Sequence, residues 1–254
     1  MDRGVDPVHT PKRRDVFQFD AEVATIFENM AVRSIPLYAE THRVHSHIVK
    51  EYLEGLHDLY GDSKPIPVAD IGASTGVFIK SLASVYGLAD TTQPIPGVEV
   101  VAVDPSPDMI HKLSLQMPWV GAINAGVEVL REVQEYFYVV NASYTLQFIP
   151  PEYQASALQT IAKSMHKGGM LLISQKEEQD SDNLSTAFTR QYMEFRKDNG
   201  YSYEEILNKT AALRNSMWPM KRDTLTTYLQ DAGFHCIQET TRWLNFNSLV
   251  CFKG

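Results

Sequence analysis

The chain has 254 residues, 44% of them apolar, which suits one large core and a single α/β domain with an appendage. A formal net charge of -8 provides no basic footprint and argues against nucleic acid as the partner. No run reaches ~18 apolar residues, so no membrane-spanning helix is expected.

Residues 1–15 are rich in Pro, Arg and Asp and read as a flexible arm. The arm holds a short basic run, Lys12-Arg13-Arg14, and no apolar segment of the secretory kind. Residues 16–62 read as an N-terminal helical cap. Val23, Ile26, Phe27 and Met30 form one stripe, Ile48, Tyr52, Leu53 and Leu56 another, and Pro36 separates the two helices. His42 and His45 share a helix face while His47 points elsewhere, so the three imidazoles do not converge on a metal.

The rest, 63–254, alternates strands with helices. A strand over Pro67–Ile71 meets a turn at Gly72 and then a helix from Val77. The next strand, Val98–Val103, ends at Asp104 before a helix near Pro107. Further strands are predicted over 119–124, 136–142, 169–175, 234–239 and 247–253, and helices over 152–166, 184–198, 203–213 and 222–232. Such alternation predicts a parallel sheet wrapped on both faces, with the last two strands antiparallel because only a few residues join them. Cys236 and Cys251 fall in these last strands, outside any metal-ligand spacing, and read as buried free thiols of a reducing, cytoplasmic protein.

Three strand ends carry the chemistry. In Asp70-Ile71-Gly72-Ala73-Ser74-Thr75-Gly76 the glycines allow close backbone approach, and N–H groups of the new helix can receive a carboxylate or a ribose edge. The nicotinamide fingerprint is absent, since Ser74 and Val77 stand where its later glycines would be. Asp104, one strand–helix unit further on, suits the two hydroxyls of an adenosine ribose; helix capping is the bland alternative. A third strand ends in the polar cluster Asn141-Ala142-Ser143-Tyr144-Thr145-Leu146-Gln147, where such folds keep their working groups.

The chain resembles the carboxy-S-adenosylmethionine synthases, a branch of the class I methyltransferases. The matching stretches are FDAEVATIFENMAVRSIPLY, DIGASTG, VDPSPDMI, YTLQFIPPE, NGYSYEEI, DAGF and FNSLV. The resemblance implies a Rossmann-like sheet of seven strands, the last antiparallel, with N-terminal helices folding over the ligand. It implies S-adenosylmethionine as cofactor, contacted by Tyr38, Gly72, Ala73, Ser74, Asp104 and Pro105, and a homodimer. In that family the synthase combines S-adenosylmethionine with prephenate.

The departures are informative. An acidic residue near the adenine is replaced by Gly126, followed by Val127, so only backbone contact is expected there. Ser143 stands where the family has Asn. Thr210 stands where it has the Arg that holds the product carboxylate; Arg214, four residues on, is the candidate replacement. The reading is a soluble S-adenosylmethionine-dependent transferase acting on a small molecule. Arg33 and Tyr38 close over the cofactor, Asn141 and Ser143 line its methionine end, and Tyr144, Gln147, Tyr201, Thr210 and Arg214 orient the acceptor. Trp218, Tyr203 and Met217 are further aromatic or apolar candidates for a lid over the sulfonium, and Glu177-Glu178-Gln179-Asp180 reads as an exposed loop. Two alternatives are the prephenate-using synthase itself and closure of the cofactor's own amine to azetidine-2-carboxylate with release of methylthioadenosine. A cofactor-binding regulator or a nucleic-acid methyltransferase fits less well, because the third strand end is polar and carries no Asn/Asp-Pro-Pro-aromatic run.

Overall fold

The computed structural model describes residues 17–61 and 64–254, so the arm and its basic run lie outside the described residues. Seven strands form one sheet: β1 (Ile66–Ile71), β2 (Val98–Asp104), β3 (Gly121–Asn124), β4 (Phe137–Ser143), β5 (Met165–Lys176), β6 (Phe234–Trp243) and β7 (Phe246–Lys253). Their order is β3-β2-β1-β4-β5-β7-β6. The first five pair in parallel, and β7 lies antiparallel between β5 and β6. The strand order turns around between β1 and β4, which opens a crevice at their carboxyl ends.

Among the described residues eight α-helices flank the sheet: α1 (Ala21–Ser34), α2 (Tyr38–Tyr60), α3 (Val77–Val85), α4 (Pro107–Gln116), α5 (Pro151–Ser164), α6 (Asp182–Asp198), α7 (Tyr203–Leu213) and α8 (Arg222–Asp231). Alternation along the strands separates two cores. Val68, Val100 and Val139 face Phe78, Leu82, Val49 and Leu53, whereas Ala69, Ile71 and Val140 face Leu158, Ile161 and Leu225. Helix α2 therefore shares a core with the sheet. Helix α1 instead packs through Val23, Ala24 and Met30 onto Met109 of α4 and Ala212 of α7. Local chemistry sets the helix starts. Asp20 caps α1, Ser106 caps α4, and Ser202 with Glu205 forms a capping box on α7.

Two expectations are corrected. Cys251 is buried but Cys236 is exposed. The register of β6 against β7 shifts between His235 and Gln238, and Cys236 sits in this bulge with φ 50°, out of the apolar alternation. Glu177 is not an exposed loop residue: it is buried, pairs with Arg222 and Arg242, and accepts a hydrogen bond from Asn247 Nδ2. No helix among the described residues is long and apolar enough to cross a membrane.

Candidate active site

The crevice opens into a largely apolar cavity of about 540 Å³ between the sheet, α1, α2, α6 and α7. A second cavity of about 360 Å³ adjoins it, sharing Gly72, Pro105, Thr145 and Phe148. The first is lined by Tyr38, Gly72, Ala73, Ser74, Asp104, Pro105, Asn141, Ser143, Tyr144, Thr210 and Arg214; the second includes Gly126 and Val127. Gln147 also lines the first, so fourteen of the sixteen site residues read from the sequence converge on one place. Arg33 and Tyr201 stand behind the wall. The Arg33 guanidinium lies 4.3 Å from the centre of the Tyr201 ring and donates to Asn199 O, and the Tyr201 hydroxyl meets Ser34 Oγ at 2.8 Å. Among the lid candidates, Met217 lines the cavity and Tyr203 is exposed.

The turn after β1 is held by the protein itself. Gly72 (φ 69°) and Gly76 (φ 79°) need the left-handed region, and a Cβ on Gly72 would lie 2.4 Å from Thr145 Oγ1, one on Gly76 2.1 Å from Met117 Cε. Their free space is thus taken by neighbouring side chains, whereas the turn's own backbone faces the cavity. Asp104 does both things read for it. Its carboxylate accepts the N–H of Ser74 and of Ser106, each at 2.8 Å, tying the turn to the start of α4, while it lines the cavity. Each oxygen keeps a lone pair for a ligand hydroxyl.

Asp70 stands one residue before the end of β1, between these groups. Asn141 Nδ2 donates to its Oδ1 at 2.7 Å, and Ser143 Oγ donates to Asn141 Oδ1 at 2.7 Å. Oδ2 is buried with no partner in the structure. Burial lifts this carboxyl to about 7, against the pull of Asn141. Beyond it Tyr144 sits at φ 58° with its ring 5.6 Å from that of Tyr38, a strained residue on the cavity wall.

The far half is cationic. Arg196, the one buried residue of α6, is 4% exposed, lines the cavity, and donates from both terminal nitrogens to Thr210 Oγ1 at 3.4 and 3.5 Å. Its guanidinium lies 4.2 Å from the centre of the Tyr192 ring, and Lys176 Nζ at the end of β5 lies 4.9 Å from the same centre. Among the described residues no carboxylate pairs with either cation. Sequence reasoning missed Arg196 and Lys176 because a basic residue on a polar helix or strand end reads as solvated. It also missed Glu128, whose carboxylate folds back to accept the Gly126 N–H at 3.1 Å and lines the second cavity. Only its spacing two residues after Gly126 could have signalled it.

These features suit S-adenosylmethionine. The turn and Asp104 offer N–H and carboxylate groups for a polar tail and a ribose, the apolar walls accept a base, and Asp70 Oδ2 awaits a donor. Fold and site together define an S-adenosylmethionine-dependent transferase of the methyltransferase class. The methyltransferase domain family matches residues 42–239. The chain is 31% identical to the carboxy-S-adenosyl-L-methionine synthase of Helicobacter hepaticus, over 93% of this chain and 95% of that protein. It is also 31% identical to the synthase of Methylococcus capsulatus, over 94% of each. Among solved structures, a Burkholderia thailandensis 1,6-didemethyltoxoflavin-N1-methyltransferase with bound 1,6-didemethyltoxoflavin and S-adenosylhomocysteine shares the fold. It has a TM-score of 0.51 at 17% identity, covering 91% of this chain and 87% of that one. The chain belongs to the carboxy-S-adenosyl-L-methionine synthase family within the methyltransferase-domain proteins.

Proposed function

We propose that the chain is a cytoplasmic, homodimeric transferase that uses S-adenosylmethionine on a small molecule carrying a carboxylate. The observation that carries this reading is Arg196, a buried guanidinium with no carboxylate partner among the described residues, facing the cavity beside Thr210. The arginine that the resemblance implies at position 210 is absent, and Arg196 reaches the same spot from α6, whereas Arg214 sits at the end of α7. A planar guanidinium in a dry pocket binds a carboxylate bidentately, worth roughly twice a neutral hydrogen bond per contact.

S-adenosylmethionine, when bound, supplies a sulfonium-activated carbon. Gly72, Ala73, Ser74, Asp104 and Pro105 hold its tail and ribose, and Gly126, Val127 and Glu128 hold its base. Helix α1 acts as the cap, with Tyr38 at the start of α2 against the cofactor and Arg33 bracing the wall through Tyr201. Arg196, Thr210 and Arg214 orient the acceptor, with Tyr144 on its flank. No strong base is required of these groups; alignment and exclusion of water are their work. With prephenate the roles reverse: the acid is the donor, and its carboxyl ends on the cofactor's methyl carbon as the carboxylated sulfonium that the resemblance implies.

A second reading is favoured by Asp70. A carboxyl near 7 with one free oxygen, at the methionine end of the cavity, can take a proton from the cofactor's own ammonium. The freed amine would then displace methylthioadenosine and close azetidine-2-carboxylate, Asn141 and Ser143 setting the direction of Asp70. Mass spectrometry of the protein with S-adenosylmethionine alone, and then with prephenate, separates the two. A carboxylated sulfonium formed only with prephenate, and lost in Arg196→Met, supports the first reading. Methylthioadenosine formed without a second substrate, and lost in Asp70→Asn, replaces it with the second.

A further inference from the structure

Lys176 has no place in the scheme above, yet its ammonium stands in the same cavity. Its position is fixed from three sides. The backbone N–H of Lys176 donates to Gln147 Oε1 at 2.8 Å, anchoring the end of β5. Its Nζ lies 4.9 Å from the centre of the Tyr192 ring and 5.7 Å from that of Phe246. The adjacent acid, Glu177, is engaged with Arg222, Arg242 and Asn247 and neutralises nothing in the cavity. The charge that acts on it is the Arg196 guanidinium, of like sign, against the same Tyr192 ring. An amine that is desolvated, unpaired with acid and set beside a second cation is held partly neutral, here near 8, and a neutral amine is a nucleophile.

We propose that Lys176 is an imine-forming residue for a carbonyl compound whose carboxylate is held by Arg196. The class of ligand is an oxo acid with an apolar remainder, since the carboxylate of such an acid matches the Arg196 guanidinium, its carbonyl carbon matches the Lys176 amine, and the other walls are apolar. In the step, the Nζ lone pair attacks the carbonyl carbon and a C–N bond forms. The carbonyl oxygen leaves as water with one proton from the amine and one from solvent. The product is a protonated imine, with no change of oxidation state. The inference rests on the carboxylate reading of Arg196, and its test keeps the two apart.

The wild type, Lys176→Arg and Arg196→Met are incubated with phenylpyruvate, and binding is followed by calorimetry. In parallel, borohydride reduction and peptide mapping locate any secondary amine. The expected result is phenylpyruvate bound by the wild type and a reduced adduct on Lys176, at least tenfold above any exposed lysine. In Lys176→Arg, which preserves the charge, the acid still binds but the adduct is lost. Binding to the wild type without an adduct, or an adduct spread evenly over exposed lysines, overturns the imine while leaving Arg196 its role. No binding to the wild type, or equal binding to Arg196→Met, overturns both.

Discussion

At the scale of single residues, burial sets protonation and protonation sets stability. Asp70 holds its proton up to about 7 in the folded chain against 3.8 ordinarily, so between those values the folded state carries a proton that the unfolded state has released. Stability from this group is therefore lost as pH rises through the window and is level above about 7. His42 and His45, lowered by burial to about 3 and about 4, act in the opposite sense. They stay neutral in the folded chain while the unfolded chain takes up protons below 6.5, so their contribution falls as pH falls. The two trends oppose each other in the mildly acidic range. Asp70→Asn removes only the first. Its unfolding free energy, from urea titration without ligand, should climb steadily from pH 4 to 7. At pH 8 it should exceed that of the wild type by up to about 4 kcal/mol. A variant with an unchanged pH profile would show that Asp70 is ionised in the folded chain. Arg196→Lys bears on the same scale: an ammonium cannot make the forked contact, so affinity for a carboxylate ligand should fall about tenfold by calorimetry, less than for Arg196→Met.

At the scale of elements, the turn after β1 and the cap depend on a few contacts. Gly72→Ala places a Cβ against Thr145 Oγ1, which itself donates to Ile71 O at 2.7 Å and cannot give way freely. With the left-handed φ this should cost about 2–4 kcal/mol in thermal or urea unfolding and abolish cofactor binding. Helix α1 is latched to the cofactor elements by Glu28, which meets Lys80 of α3 and Thr75 of the turn, and by Lys112 of α4, which donates to Ala24 O at 2.7 Å. The Glu28–Lys80 pair is partly exposed, so its stabilising effect is about 1 kcal/mol at most. Glu28→Gln should leave the melting temperature nearly unchanged while raising the dissociation rate of S-adenosylmethionine two- to fivefold in stopped-flow measurements. An unchanged rate would mean that the cap does not gate release.

At the scale of the whole molecule, most of the chain packs on one sheet while α6 stands apart. Of its seventeen residues only Arg196 is buried, although Tyr192, Met193 and Thr189 also line the cavity. An element with so little buried apolar surface opens locally at low cost. Amides of α6 should exchange with deuterium far faster than those of β1 or β4 in the free protein, and slow by at least tenfold when a carboxylate ligand bridges Arg196 and α7. Protection of α6 without ligand would instead mean that another surface, such as a second copy of the chain, already covers it.

What the amino-acid sequence determined by itself is whatever a short stretch decides. The strand–turn–helix around Gly72, Asp104 one unit later, the helix stripes of 16–62 and the boundaries of α7 and α8 follow from periodicity, glycine conformation and capping within a few residues. The resemblance added the family and the place of Tyr38 and Thr210. Only the tertiary structure decided which charges are buried. Arg196 and Thr210 meet because the chain turns at Asn199–Gly200 between α6 and α7, and Glu177 is buried because Arg222, Arg242 and Asn247 converge on it from 45, 65 and 70 residues away. The bulge that exposes Cys236 is likewise a matter of pairing with β7. A residue's type fixes what it can do in a given environment, but its solvation is a sum over neighbours distant in sequence, and in this site solvation separates an idle cation from a ligand-binding one.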